Sequence, residues 1–288
     1  MMKNLNKRHE TDWQPDRLPC FQIQVYGNRR NTVMTFPCKA IVFDLDGTIL
    51  DTLTDLYFSV SYALSEAGLT PVTKDQVRLY TGNGMERLVR LSMGLNTDND
   101  LRGDRQEVES LFGNKGATEA EVENKTLTTP DSELEALFPT VYSTFRSHYA
   151  IHSMDHTGPY PGISELLKRL KDKGFLLAVV SNKGDAAVQP LIADLFPGIF
   201  DFVCGEKEGL RRKPAPDMVF ECLRQLGVSV KDAVYVGDSE VDIATAIHAN
   251  MPCITVTWGF RDRKQQVGAG AEFFAETPAD VEGYVQLS

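Results

Sequence analysis

From residue 40 onward, short and mostly apolar runs alternate with stretches in which apolar residues return every three or four positions. The apolar runs are Ala40–Leu45, Phe175–Val180, Phe200–Cys204, Ala233–Val236 and Cys253–Thr257. A run with little polar alternation leaves no face for water, so each reads as a strand covered on both sides. Helical periods fall between them, over 162–173, 216–226 and 241–249, with another after Lys183. Gly174 and Gly227 stand where the first two helices should stop. Strands alternating with helices imply an α/β fold built on a parallel sheet.

Between the first strand and the rest, the pattern is helical throughout. Leu53, Leu56, Tyr57, Val60 and Leu64 mark a first helix that Gly68 ends. Thr73 to Gln76 fits a capping box for a second. Gly82-Asn83-Gly84 opens a third, carrying Leu88, Val89 and Leu91. Leu134, Leu137, Phe138, Val141 and Phe145 mark a fourth. Residues 96–132 are polar and read as a long loop or a loose elaboration. Residues 1–36 are polar without a sustained period and read as a disordered N-terminal extension. The expected organisation is therefore an α/β core of residues 37–51 and 156–288, with a helical cap over 52–155.

Composition narrows the function classes. The net charge of −10 disfavours non-specific nucleic-acid binding. No apolar stretch approaches the roughly 20 residues that span a membrane. The N-terminus has charges but no apolar core behind them, unlike a secretory signal. Five scattered cysteines, with no C-x-x-C pair, read as reduced thiols of a cytoplasmic protein. The expected partner is a small molecule, with no nucleic acid and no membrane, and the chain a monomer or homodimer. The five histidines are given no role.

The polar residues at the strand ends carry the chemistry. The first strand runs into Asp44-Leu45-Asp46-Gly47-Thr48. Two carboxylates at the tip of a buried strand repel unless a cation or proton lies between them. Ser181-Asn182, Lys213 and Asp238 with Asp242 also follow apolar runs. In a parallel sheet the C-terminal ends share one edge, so these signals converge.

Asp44-Leu45-Asp46-Gly47-Thr48, Ser181, Lys213-Pro214 and Gly237-Asp238-Ser239-x-x-Asp242 resemble the four ordered motifs of the haloacid dehalogenase-like superfamily. Gly82-Asn83-Gly84, Tyr160-Pro161-Gly162 and Trp258-Gly259-Phe260-Arg261 are most similar to its phosphoglycolate phosphatases. The resemblance implies a Rossmann-like core with an inserted cap. It implies Asp44 as the nucleophile that forms an aspartyl-phosphate, and Asp46 as general acid and base. It implies Mg²⁺ held by Asp44, the Asp46 carbonyl and Asp238, with Asp242 orienting those ligands from behind. Ser181, Asn182 and Lys213 would bind the phosphoryl oxygens, with Thr48 adding a hydrogen bond. Gly82 and Gly84 would offer backbone amides to the far end of the substrate. The expected activity is Mg²⁺-dependent hydrolysis of a small phosphomonoester, 2-phosphoglycolate being a candidate. The alternatives are a phosphosugar mutase of the same fold and a non-catalytic phosphate-binding module.

Overall fold

The computed structural model describes residues 24–26, 33–95 and 131–288. Its centre is a six-stranded sheet, parallel throughout. In chain order its strands are β3 (Ala40–Phe43), β6 (Leu176–Gly184), β7 (Phe202–Glu206), β8 (Ala233–Gly237), β9 (Cys253–Val256) and β10 (Phe273–Ala275). Across the sheet the order is β10-β9-β8-β3-β6-β7. β3 therefore lies between β6 and β8, which puts Asp44 at the middle of the active edge. The two faces of β3 explain its unbroken apolar run. Ile41 and Phe43 enter one hydrophobic core, Ala40 and Val42 the other.

Within 52–155, every element among the described residues is a helix. These are α1 (Leu53–Glu66), α2 (Lys74–Tyr80), α3 (Met85–Ser92) and α4 (Asp131–His152). Leu56, Val60 and Leu64 of α1 pack with Leu134, Phe138, Val141, Phe145 and Tyr149 of α4 in a core of their own. Leu137 of α4 faces outward instead. The Thr73–Gln76 capping box forms at α2. The chain leaves and re-enters the sheet layer side by side. β4 (Leu50–Asp51) pairs antiparallel with β5 (Gly158–Pro159). The elaboration expected over 96–132 lies almost wholly outside the described residues; its last two positions begin α4.

Three expectations need correction. The ordered core starts before residue 37, because β2 (Val33–Cys38) pairs with the C-terminal β11 (Val285–Leu287) and with β1 (Gln24–Tyr26). Phe36 is buried, edge-on to Phe273 at 4.8 Å. Pro37 and the short length of this strand hid its alternation. The third core strand is Phe202–Glu206, two residues later than its apolar run suggests, because Asp201 turns back to accept from the Leu177 amide. The sheet also gains an edge strand, β10, that the pattern after Thr257 did not show. The remaining helices are α5 (Ile163–Asp172), α6 (Asp185–Leu195), α7 (Asp217–Leu226), α8 (Glu240–His248), α9 (Arg263–Gly268) and α10 (Pro278–Tyr284). The four described cysteines are free thiols.

Candidate active site

Four chain segments meet at the C-terminal edge of the sheet. Asp44 follows β3, Ser181 and Asn182 lie at the end of β6, Lys213 precedes α7, and Asp238 follows β8. All five are buried. The Lys213 ammonium bonds Asp44 Oδ1 at 2.7 Å, Asp242 Oδ1 at 2.7 Å and the Tyr235 hydroxyl at 3.1 Å. Asp242 Oδ2 accepts from the Ser239 hydroxyl at 2.6 Å and from the amides of Ser239 and Asp238. Both Asp242 oxygens are thus engaged in positioning Lys213 and the loop before α8. Asp238 Oδ2 accepts from the Phe260 amide at 2.7 Å, and its Oδ1 from the Thr48 hydroxyl at 3.2 Å. Gly47 is required beside it: its φ is +87°, and a Cβ there would lie 2.7 Å from Asp238 Oδ2.

The electrostatics fit a hard divalent cation. Carboxylate oxygens of Asp44, Asp238 and Asp242 lie within 4.8 Å of one another. Burial first, and then Asp242, hold the Asp44 carboxyl well above its usual range. The same two causes push Asp238 up to about 7. Burial penalises the Lys213 ammonium, but Asp242 and Asp44 outweigh it and keep it charged. One ammonium among three buried carboxylates leaves excess negative charge. An all-oxygen donor set with that excess suits Mg²⁺. Asp44 and Asp238 are the side chains that would hold it.

The profile of the haloacid dehalogenase-like hydrolases matches residues 41–256, from β3 to β9, and so contains every motif that meets at this edge. The chain belongs to this family. A phosphoglycolate phosphatase of Agrobacterium fabrum is 30% identical over 226 residues, 77% of this chain and 81% of that protein. One from Aquifex aeolicus is 28% identical over 245 residues, 84% and 94% of the two chains. A crystal structure from Lactobacillus delbrueckii subsp. bulgaricus, solved as a candidate phosphoglycolate phosphatase, superposes with a TM-score of 0.71. It is 40% identical and covers 86% of this chain and 98% of its own.

Within this hydrolase site, Asp46 meets other neighbours than Asp44. Its Oδ1 accepts from Lys183 Nζ at 2.6 Å and from the Thr52 hydroxyl at 2.7 Å. Its carboxylate is not one of the three that gather within 4.8 Å of one another. Asp44, Asp46, Ser181 and Asn182 line one cavity together with Gly82 and Gly84 of the helical unit. Leu56, Met85 and Leu88 give that cavity an apolar roof. Two expected phosphate ligands are occupied otherwise. The Thr48 hydroxyl is spent on Asp238. Asn182 brackets Lys213, accepting from its amide and donating to its carbonyl, and also donates to Gly82 O. A side chain fixed on both sides in this way positions the lysine rather than the phosphate.

Sequence reasoning missed Lys183 and Tyr235 as parts of the site, and read Arg261 within a motif without assigning it a contact. Lys183 is fully enclosed, with its ammonium 5.0 Å from the Tyr149 ring of α4. Its place directly after Ser181-Asn182 was the available signal. Tyr235 sat unnoticed in an apolar run, although its hydroxyl needed a buried partner.

Proposed function

We propose that this hydrolase cleaves small phosphomonoesters through an aspartyl-phosphate on Asp44, with 2-phosphoglycolate as its substrate. The observation that carries this reading is the pair Asp44–Lys213 at 2.7 Å, set at a cavity that Asp46 and Ser181 also line. The relatives named above add the substrate. Leu56, Met85 and Leu88 give the cavity an apolar wall against which a carbon skeleton can rest.

The steps follow from the chain's own groups. The substrate phosphoryl sits against Ser181 and Lys213, whose charge offsets that of the equatorial oxygens. An Asp44 carboxylate oxygen attacks phosphorus in line with the ester oxygen. The phosphorus–ester bond breaks, and Asp46 gives its proton to the departing alkoxide. Water then enters opposite Asp44, and Asp46, now ionised, takes a proton from it. The bond between phosphorus and Asp44 breaks and inorganic phosphate leaves. Lys183 and Thr52 hold the Asp46 carboxylate between these two proton transfers. Mg²⁺, bound by Asp44, Asp238 and the Asp46 carbonyl, would neutralise charge on the transferring group.

A panel of phosphorylated metabolites assayed with Mg²⁺ tests the reading. Phosphate release should be fastest from 2-phosphoglycolate and vanish in excess chelator, returning with Mg²⁺. Ca²⁺ should restore it poorly, because its looser coordination misplaces the nucleophile. Full activity in chelator, or a clear preference for a hexose phosphate, would overturn it.

A further inference from the structure

Three consecutive backbone carbonyls of the helical unit are each taken by a different side chain of the α/β core. Arg261 Nη2 donates to Thr81 O at 2.8 Å. Asn182 Nδ2 donates to Gly82 O at 3.1 Å. Arg212 Nη1 donates to Asn83 O at 3.2 Å. Gly84 alone separates this run of carbonyls from α3, and Gly82 within the run and Gly84 after it both line the cavity. Gly84 has φ +87°, and a Cβ there would lie 3.4 Å from the Arg212 guanidinium. The loop therefore meets the core through its backbone, and side chains on it are kept small.

Arg261 is the strongest of the three contacts. Its Nη1 also donates to Arg78 O at 3.0 Å, a carbonyl in the last turn of α2. Carbonyls there have no partner within the helix and carry the negative end of its dipole. On its other side the guanidinium grips Glu240, Nε to Oε2 at 2.7 Å and Nη2 to Oε1 at 3.1 Å. Glu240 is the first residue of α8, so the fork is anchored to the core independently of the helical unit. Arg261 is buried and is not among the residues lining the cavity. These bonds use four of its five N–H donors, all of them on protein groups. The residue before it completes the connection, since the Phe260 amide holds Asp238 Oδ2.

We propose that Arg261 is a positioning residue that registers the helical unit on the metal-binding end of the site. One short segment, Phe260-Arg261, fixes Asp238 with its backbone and the 78–81 region with its side chain. The loop that closes the substrate cavity is thereby set in register with Asp238. This rests on the reading that the helical unit closes over a phosphatase site, and it names the contact that makes closure specific. Glu240 serves the same device by keeping the fork aimed when the helical unit lifts.

The test uses Arg261→Gln, Arg261→Lys and Glu240→Gln in the full chain. Hydrogen exchange on the metal-free protein should show amides in 74–92 exchanging about tenfold faster in Arg261→Gln. That is the scale of losing one charge-assisted hydrogen bond. Amides of β3 and β8 should be unchanged. With Mg²⁺, kcat/KM for 2-phosphoglycolate should fall about 10²-fold, as for a misplaced positioning contact. Hydrolysis of 4-nitrophenyl phosphate should change little, because only its phosphoryl group is recognised. Arg261→Lys, which keeps the charge but not the fork, should fall between wild type and Arg261→Gln. Should Arg261→Gln fail to fold, Glu240→Gln provides the same readings at smaller size. Unchanged exchange over 74–92, or equal losses on both substrates, would overturn the proposal. If the wild type hydrolyses 4-nitrophenyl phosphate but not 2-phosphoglycolate, the substrate assignment fails, while the exchange experiment still decides the role of Arg261.

Discussion

Asp44 and Asp46 are two residues apart, yet their environments separate their chemistry. Asp44 shares Lys213 with Asp242 and faces the aspartate cluster. Asp46 shares Lys183 with no other carboxylate and is steadied by Thr52. Removing either should therefore fail differently. Asp44→Asn should abolish turnover on every phosphomonoester, since no other group attacks. Asp46→Asn should lose about 10²- to 10⁴-fold on an alkyl phosphate, the usual worth of a positioned acid and base. Its phosphoryl-transfer step should recover substantially on an aryl phosphate, whose leaving group needs no proton. Burst kinetics with both substrates would check this, and equal recovery of the two variants would contradict the separate roles. Much of this was legible at the residue scale, because a carboxylate at the end of an apolar strand has few structural uses. The partners of Lys183, Tyr235 and Arg261 were not legible. Their meaning lies in the partner each meets across 137, 7 or 180 positions of sequence, and periodicity carries no such information.

At the scale of elements, the two connections between sheet and helices form a compact joint. β4 pairs with β5, and the buried Asp55 of α1 accepts four hydrogen bonds from the two residues just before β5. These come from the His156 amide and ring at 3.0 and 2.8 Å, and from the Thr157 amide and hydroxyl at 2.8 Å each. Burial alone would raise the Asp55 carboxyl, but the hydrogen bonds from His156 and Thr157 outweigh it and lower it. A carboxyl lowered on folding stabilises fully above its unfolded value, near 3.9. That contribution disappears as pH falls through the lower folded value. Asp55→Asn should therefore cost about 1–3 kcal/mol at neutral pH, the penalty for leaving buried donors unpaired. The gap in Tm between wild type and variant should narrow below about pH 4. A gap that stays constant into acid would show that the Asp55 charge does not contribute. The helices around this joint were readable from their 3.6-residue period. The place of the joint was readable from the bounds of the helical stretch, near residues 51 and 157; the pairing of β4 with β5 was not, because two-residue strands are too short to show alternation.

For the whole molecule, topology explains why such distant residues act together. A parallel sheet with β3 at its centre brings the ends of β3, β6 and β8 to one edge, and the interruption after β3 puts a helical unit over that edge. The α/β alternation and the site of this interruption were visible in the pattern of apolar runs. The paired chain ends were not: β2 and β11 are 249 positions apart at their first register pair, Val285 with Phe36. Among the described residues no helix is long and apolar enough to cross a membrane. On the proposed mechanism, this arrangement lets Asp44 carry a phosphoryl group briefly while the leaving group departs. The most direct test is a rapid acid quench of the protein during turnover of 2-phosphoglycolate with Mg²⁺, followed by mass spectrometry of its peptides. A single added phosphoryl group on the peptide containing Asp44, absent in Asp44→Asn and more abundant in Asp46→Asn with an aryl phosphate, is the predicted result. Steady phosphate release with no phosphorylated peptide, or with the phosphoryl group on another residue, would contradict it.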